Sequence, residues 1–242
     1  MNLRKFLYKF FILAAKIIPT GMPLVILRGP LKGFKLIIGA PAGRGKGISV
    51  IFNRSEPARL KIAKELVSPD YTCFDIGANI GIYSMLFSRY SKFTYAFEPL
   101  PRNIRFLYRT IKLNKIRNVK IVPCAVADKD GQSWFQKGDS IAEGKLDSGG
   151  TVQVRTVSLD TYITENVIKP NLLKIDVEGA ELLILEGAKQ YLLKERPIIL
   201  IETHSEVIKK KCFDFLKQMK YTYFKPIDSN SIQDANDFVI KP

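Results

Sequence analysis

The sequence predicts an α/β protein built on a mostly parallel, seven-stranded sheet that ends in an antiparallel edge hairpin. Three observations carry this. From Tyr71 onward, short apolar runs alternate with longer amphipathic ones, the βαβ rhythm that leads to right-handed parallel connections. The runs 71–76, 172–177 and Ile198–Glu202 are almost continuously apolar, as strands covered on both faces are. The last two strand-like runs, 221–224 and 238–240, are separated by a polar loop, which suits an antiparallel pair at the edge.

The elements follow in order. An N-terminal extension, 1–55, opens with an apolar, basic helix over 6–18 and continues with short strands at 24–27 and 34–38, turned by Arg28, Gly29 and Pro30. A Gly- and Pro-rich loop covers 40–47. The main domain, 56–242, starts with a helix over 57–67. Strand 71–76 is followed by a helix over 81–89, and strand Phe93–Phe97 by a helix that places Pro101 in its first turn and runs to Leu113. The third strand spans 119–126. The rhythm then breaks: strands at 133–135 and 151–157 flank an expected mobile loop over 137–150, and a short helix, 159–167, completes the crossover. This insertion is a candidate lid or substrate wall. Strand 172–177, a helix over 180–193, strand Ile198–Glu202 and a helix over 206–219 complete the parallel part.

A chain of 242 residues that is 46% hydrophobic fits one large α/β domain with an extension. Its 38 basic and 23 acidic residues leave a net charge of +15. That balance suits either a solvated basic surface or an anionic partner such as a membrane lipid, an acidic glycan or nucleic acid. No RRM-type aromatic-basic motif is present, which argues against nucleic acid. Three cysteines without a C-x-x-C spacing argue against a disulfide framework or zinc site and favour a reducing, cytoplasmic setting. Residues 1–18 are too short in unbroken apolar sequence to span a bilayer, which takes about 20 residues. Arg4, Lys5, Lys9 and Lys16 among Phe6, Leu7, Phe10, Phe11 and Leu13 fit a helix lying on an anionic membrane surface at its inner face. A helix packed on the domain or on a second subunit is the alternative reading, and the oligomeric state is not given by the sequence.

The run YTCFDIGANIGIYSMLF, 71–87, reads as strand, tight turn and helix. Gly77, Asn79 and Gly81 allow left-handed backbone and close approach of a ligand, and the helix start offers free N–H groups. A dinucleotide fingerprint needs G-x-G-x-x-G; here its second and third glycines are Asn79 and Ile82, which argues against NAD and FAD. Asp75 beside the turn would repel a pyrophosphate and suit an ammonium or sulfonium. Ligands in such sheets sit beyond the carboxyl ends of the strands, and those ends carry Asp75, Glu98, Asp128, Asp176 with Glu178, and Glu202 with His204. Carboxylates at sheet ends cost desolvation unless they are used. Glu98 suits a ribose, because a carboxylate accepts from both hydroxyls; Asp128 suits an adenine amino group or is only a turn residue.

The pattern D-x-G-x-N-x-G resembles the first motif of S-adenosylmethionine-dependent methyltransferases. With it, Lys174-Ile175-Asp176-Val177-Glu178-Gly179-Ala180-Glu181, the strand before Glu202, and Val157-Ser158-Leu159-Asp160 resemble the FkbM family in motif order over about 28–204. Arg28-Gly29-Pro30-Leu31-Lys32-Gly33 is similar to the family's upstream segment, while Ser158 stands where the family has threonine. The resemblance implies a Rossmann-like class I methyltransferase fold and methyl transfer from S-adenosylmethionine, usually to oxygen, on acceptors that include sugars and macrolide-type metabolites. The expected cofactor residues are Asp75, Gly77, Asn79, Gly81, Glu98, Asp128 and Asp176. The candidate catalytic residues are Glu178, Glu202 and His204, the only histidine, whose ordinary pKa suits a general base near neutrality; a cap for the final helix is its alternative role. Glu181 is expected to be structural. Asp176, Glu202 and His204 share a spacing that permits a hard divalent metal without indicating one. The expected function is O-methylation of a glycan or small-molecule hydroxyl. An RNA methyltransferase, or a membrane-bound module that has lost turnover, is the competing reading.

Overall fold

The structure is a computed structural model that describes residues 19–39, 47–137, 144–146, 152–227 and 229–242. The helix expected over 6–18 and most of the loops expected at 40–47 and 137–150 lie outside the described residues. The chain begins with a hairpin, β1 (Pro23–Val25) against β2 (Lys35–Ile37), then a short helix α1 (Ile48–Ile51) and α2 (Pro57–Leu66). β3 (Thr72–Ile76), α3 (Ile82–Tyr90), β4 (Phe93–Phe97), α4 (Pro101–Leu113) and β5 (Val119–Val122) follow. A side sheet is made by β6 (Ala125–Val126), β7 (Gly131–Lys137), β8 (Gly144–Leu146) and β9 (Val152–Val157). The chain then runs through α5 (Leu159–Asn166), β10 (Leu172–Ile175), α6 (Glu181–Glu186), α7 (Lys189–Lys194), β11 (Ile198–Glu202), α8 (Glu206–Gln218), β12 (Tyr223–Pro226) and β13 (Asp237–Lys241).

The large sheet has seven strands in the order β12-β13-β11-β10-β3-β4-β5. β11, β10, β3, β4 and β5 are parallel, while β13 is antiparallel to both β11 and β12. The Rossmann-like expectation therefore holds, including the antiparallel edge. Strand alternation divides the core. Phe74, Ile76, Leu173, Ile175, Ile199 and Ile201 point to one face, with α6 and α8. Cys73, Leu172, Leu200 and Val239 point to the other, under Leu60, Ala63, Leu86 and Phe87 of α2 and α3. Ile26, Leu36, Ile48 and Ile51 join this second core. All three cysteines are buried and unpaired.

Three elements differ from expectation. The third strand, read as 119–126, is two strands: Pro123 has no N–H for a ladder, Cys124 N donates back to Val122 O at 2.9 Å, and β6 leaves the large sheet to pair with β9. The span 137–150, read as loop, contains β8, paired with β7. The helix read as 180–193 is two helices. A Cβ on Gly187 would stand 2.1 Å from Ala127 O, so the chain is pressed against the side sheet there. The Asp160 carboxylate accepts from Gln190 N and Tyr191 N, both at 2.9 Å, and caps a fresh helix start.

Candidate active site

Strand order reverses between β3 and β10, and an α/β sheet opens its ligand crevice at such a point, beyond the carboxyl ends. A cavity of about 360 Å³ lies there. One wall is the turn after β3, where Gly77 has φ 78°, Asn79 φ 49° and Gly81 φ 93°. Gly77 N and Ala78 N both donate to Phe97 O, at 3.0 and 2.9 Å, tying the turn to β4. A Cβ at Gly77 would lie 1.9 Å from Asp176 O, so glycine is required for closeness as well as for φ. Asp176, Val177 and Glu178 continue the lining from there.

Glu98 forms the floor and is buried. Oε2 accepts from Asn79 N at 2.8 Å; Oε1 accepts from Leu100 N at 2.9 Å and from Asn103 Nδ2 at 3.3 Å. Burial pushes its carboxyl above the usual range, against the pull of those three donors. Three donors leave lone-pair capacity on a carboxylate that has about four such sites. Nearby, Asn79 Oδ1 is buried with no hydrogen-bond partner among the described residues.

A band of charge runs beside the cavity, and strand alternation builds it. Asp75 and Lys174 are register partners on the face covered by α2 and α3. Asp176, Glu202 and Asp237 continue that face at the ends of β10, β11 and β13. Lys174 is buried, with Nζ 3.2 Å from Asp75 and 3.7 Å from Asp176, and it donates to Gly77 O at 3.0 Å. Burial opposes its charge, but the two carboxylates hold its pKa above the ordinary value. Arg59, sent across this face by α2, is buried too. Its guanidinium lies 2.5 Å from Glu202, 2.9 Å from Asp237, 3.2 Å from Glu56 and 3.6 Å from Asp176. Burial works against Asp176 ionising, yet Lys174, Arg59 and His204 keep its pKa below the usual value. Glu202 is pushed up by burial and by Asp176.

His204 follows β11. Its Nδ1 lies 2.6 Å from Oε1 of the fully buried Glu181, whose Oε1 also accepts from Gly179 N at 3.0 Å. Its Nε2 faces Glu178 at 3.4 Å, Asp176 at 3.8 Å and Glu202 at 3.9 Å. Burial lowers its pKa, but the Glu181 hydrogen bond and the neighbouring carboxylates outweigh this and raise it from 6.5 to about 9. Its pKa therefore lies above the ordinary imidazole value on which the sequence reading of a base near neutrality rested. The helix-cap role belongs to Ser205, whose Oγ accepts from Ile208 N at 3.2 Å.

Gly77, Asn79, Glu98, Asp176, Glu178 and Glu202 line the cavity, with His204 alongside. Asp75 does not reach it: it is wholly buried, paired with Lys174, and accepts from Ser84 Oγ at 2.6 Å. Its ammonium is the protein's own. Gly81 caps α3 beneath the wall, where a Cβ would meet Leu107 at 2.5 Å. Asp128 is exposed and outside the lining, so it does not meet a ligand base in this cavity; its neighbour Asp130 accepts from Ser158 N at 2.7 Å to hold that turn. The sequence reading missed Arg59 and gave no role to Lys174. Lys174 was visible as the one charge inside LLKI; Arg59 was hidden in a polar helix. Asp176, Glu178 and His204 offer ligand atoms within 4.8 Å of one another, but Arg59 and Lys174 already neutralise Asp176, and a metal would have to displace the His204 proton.

The family model for the methyltransferase FkbM domain matches residues 75–226. The chain belongs to the FkbM methyltransferase family. The chain is similar to hexuronic acid methyltransferase AglP of Haloferax volcanii, at 26% identity over 192 residues, covering 77% of each chain. Methyltransferase 1 of Beauveria bassiana is 29% identical over 140 residues, 47% of this chain and 56% of that one. The crystal structure of methyltransferase FkbM from Methylobacillus flagellatus matches at a TM-score of 0.50 and 16% identity, over 72% of this chain and 44% of that chain. This FkbM methyltransferase thus shares the Rossmann-like fold of that structure while spanning less than half of its length. No described helix is long and apolar enough to cross a membrane.

Proposed function

We propose that this FkbM methyltransferase uses S-adenosylmethionine to methylate a hydroxyl on a glycan or small-molecule metabolite. The observation that carries the reading is a ligand-sized cavity floored by Glu98 that opens beside the His204–Glu181 pair. About 360 Å³ falls within the 300–1,000 Å³ usual for small-ligand sites. The remaining lone pair of Glu98 suits a ribose hydroxyl. When bound, the cofactor supplies an electrophilic methyl group on a cationic sulfonium. Glu178 favours that positive charge and the amino-acid ammonium.

In this reading His204 Nε2 takes the proton of the acceptor hydroxyl as the oxygen is alkylated. Glu181 holds the Nδ1 proton and stabilises the imidazolium that results, as a buried carboxylate does for a catalytic histidine. A base raised to about 9 is strong but mostly protonated at pH 7. Turnover should therefore climb with pH until it levels near 9. The sugar acceptor is supported by the AglP relative, which is named for a hexuronic acid.

The test is transfer of labelled methyl from S-adenosylmethionine to a panel of sugars and small alcohols, with wild type and His204→Gln followed across the pH range. Wild-type rates that rise toward pH 9, and a variant that binds cofactor normally with turnover reduced by about a hundredfold or more, are expected. A flat profile above neutrality in wild type, or full turnover in the variant, removes His204 as the base.

A further inference from the structure

Positive charge is distributed very unevenly along this chain. Residues 1–55 carry ten basic side chains and no acid; residues 99–127 carry seven and no acid. Those seventeen exceed the net charge of +15, so the rest of the molecule is slightly acidic overall. The two acid-free stretches are far apart in sequence, but the fold joins them. The Asn114 side chain accepts from Lys35 N and donates to Lys35 O, both at 2.7 Å, which locks the loop after α4 to β2. Arg109 Nη2 donates to Gly21 O at 3.5 Å, and a Cβ on Gly39 would strike the Phe106 ring. The result is one continuous face made by the β1–β2 hairpin and α4.

That face is both basic and apolar. Arg105, Tyr108, Arg109 and Lys112 recur at the spacing that keeps them on one side of α4, and all four are exposed, Tyr108 at 57%. No described carboxylate pairs with Arg105, Arg109 or Lys112. Val25, 45% exposed, is the cross-strand partner of exposed Lys35, and Met22 and Leu27 are 43% and 50% exposed. Exposed aliphatic groups set among arginines and lysines suit a lipid surface, where the chains reach below the headgroups and the charges meet phosphate. A single-stranded nucleic acid would call instead for several stacking rings. Gly21, close to the first described residue, Pro19, lies against Arg109.

We propose that the face formed by the β1–β2 hairpin and α4 docks this protein peripherally on an anionic lipid bilayer. The inference stands apart from the reading of the cavity, since none of these side chains lines it.

The experiment is flotation of the full chain with phosphatidylcholine vesicles, with and without phosphatidylserine, at low and high salt. The R105E/R109E/K112E variant is run beside wild type, thermal melting serves as a check of folding, and a second variant reverses Arg4, Lys5 and Lys9. Wild type should float with phosphatidylserine vesicles only and release in salt. The α4 variant, folded, should bind about a hundredfold more weakly or worse, since each basic residue near such a surface is worth about a factor of five. Three results overturn the proposal: no flotation of wild type, flotation of the α4 variant equal to wild type, or loss confined to the variant in residues 4–9. Binding of wild type to single-stranded RNA without any to vesicles would assign the face to nucleic acid instead.

Discussion

Arg59 touches four carboxylates, Glu56 at the start of its own helix and three from other elements, so removing it leaves negative charges facing one another. Arg59→Met should destabilise the protein by about 3–5 kcal/mol, the usual cost of breaking a buried ion network from one side, as read from urea unfolding. A loss under about 1 kcal/mol would mean that solvent already screens the cluster. Glu98 could be found in the sequence because it follows an unmistakable strand, 21 residues beyond Gly77. Arg59 could not: α2 is weakly patterned, and nothing in its own sequence says which face meets the sheet. Asp75 was located correctly at its strand end but misread in direction, because its partner Lys174 lies 99 residues later and becomes a neighbour only through parallel register.

At the scale of elements, the site depends on where helices stop. Gly187 separates α6 from α7, and its α-carbon sits against the backbone of Ala127. Gly187→Ala has no φ penalty to meet, since φ is −71° there, but it must push the side sheet away from α6. A cost of about 1–3 kcal/mol is expected, measured by thermal melting. A neutral or stabilising outcome would show that the side sheet yields freely. The parallel strands and their helices were legible because long apolar runs and Pro101 at a helix start are local signals. The division of 119–126 and the break at 187 were not, since both answer to tertiary contact with the side sheet rather than to propensity. Two serines cap helices that the sequence reading had not assigned to them: Ser158 Oγ accepts from Thr161 N at 3.1 Å, and Ser205, not His204, caps α8.

For the whole molecule, the charged band fixes how stability responds to pH. His204 has a folded pKa of about 9 against 6.5 when unconstrained, so the stability it contributes is fully present below 6.5 and is lost as pH rises through 9. Asp176 is shifted the other way, below 3.8; its contribution is present above that value and lost as pH falls through its lowered pKa. Stability should therefore decline on both sides of a maximum, and the alkaline decline between about 6.5 and 9 should be missing from His204→Gln. Equal alkaline declines in both proteins, followed by urea unfolding at a series of pH values, would locate the effect elsewhere. The seven-stranded order and its reversal at β3 and β10 place that same band beside the cavity, so folding electrostatics and the proposed chemistry share their residues. The sequence showed which acids end strands. The pairing that turns them into a floor, an ion network and an oriented imidazole required the register.

The most direct test of the account is calorimetric titration of the full chain with S-adenosylmethionine, beside Glu98→Ala checked for folding. The account predicts saturable binding by wild type and affinity lower by about ten- to a hundredfold in the variant, the value of a hydrogen bond to a charged group. Equal affinity in both folded proteins, or none in wild type, would contradict the assignment of this cavity to the cofactor.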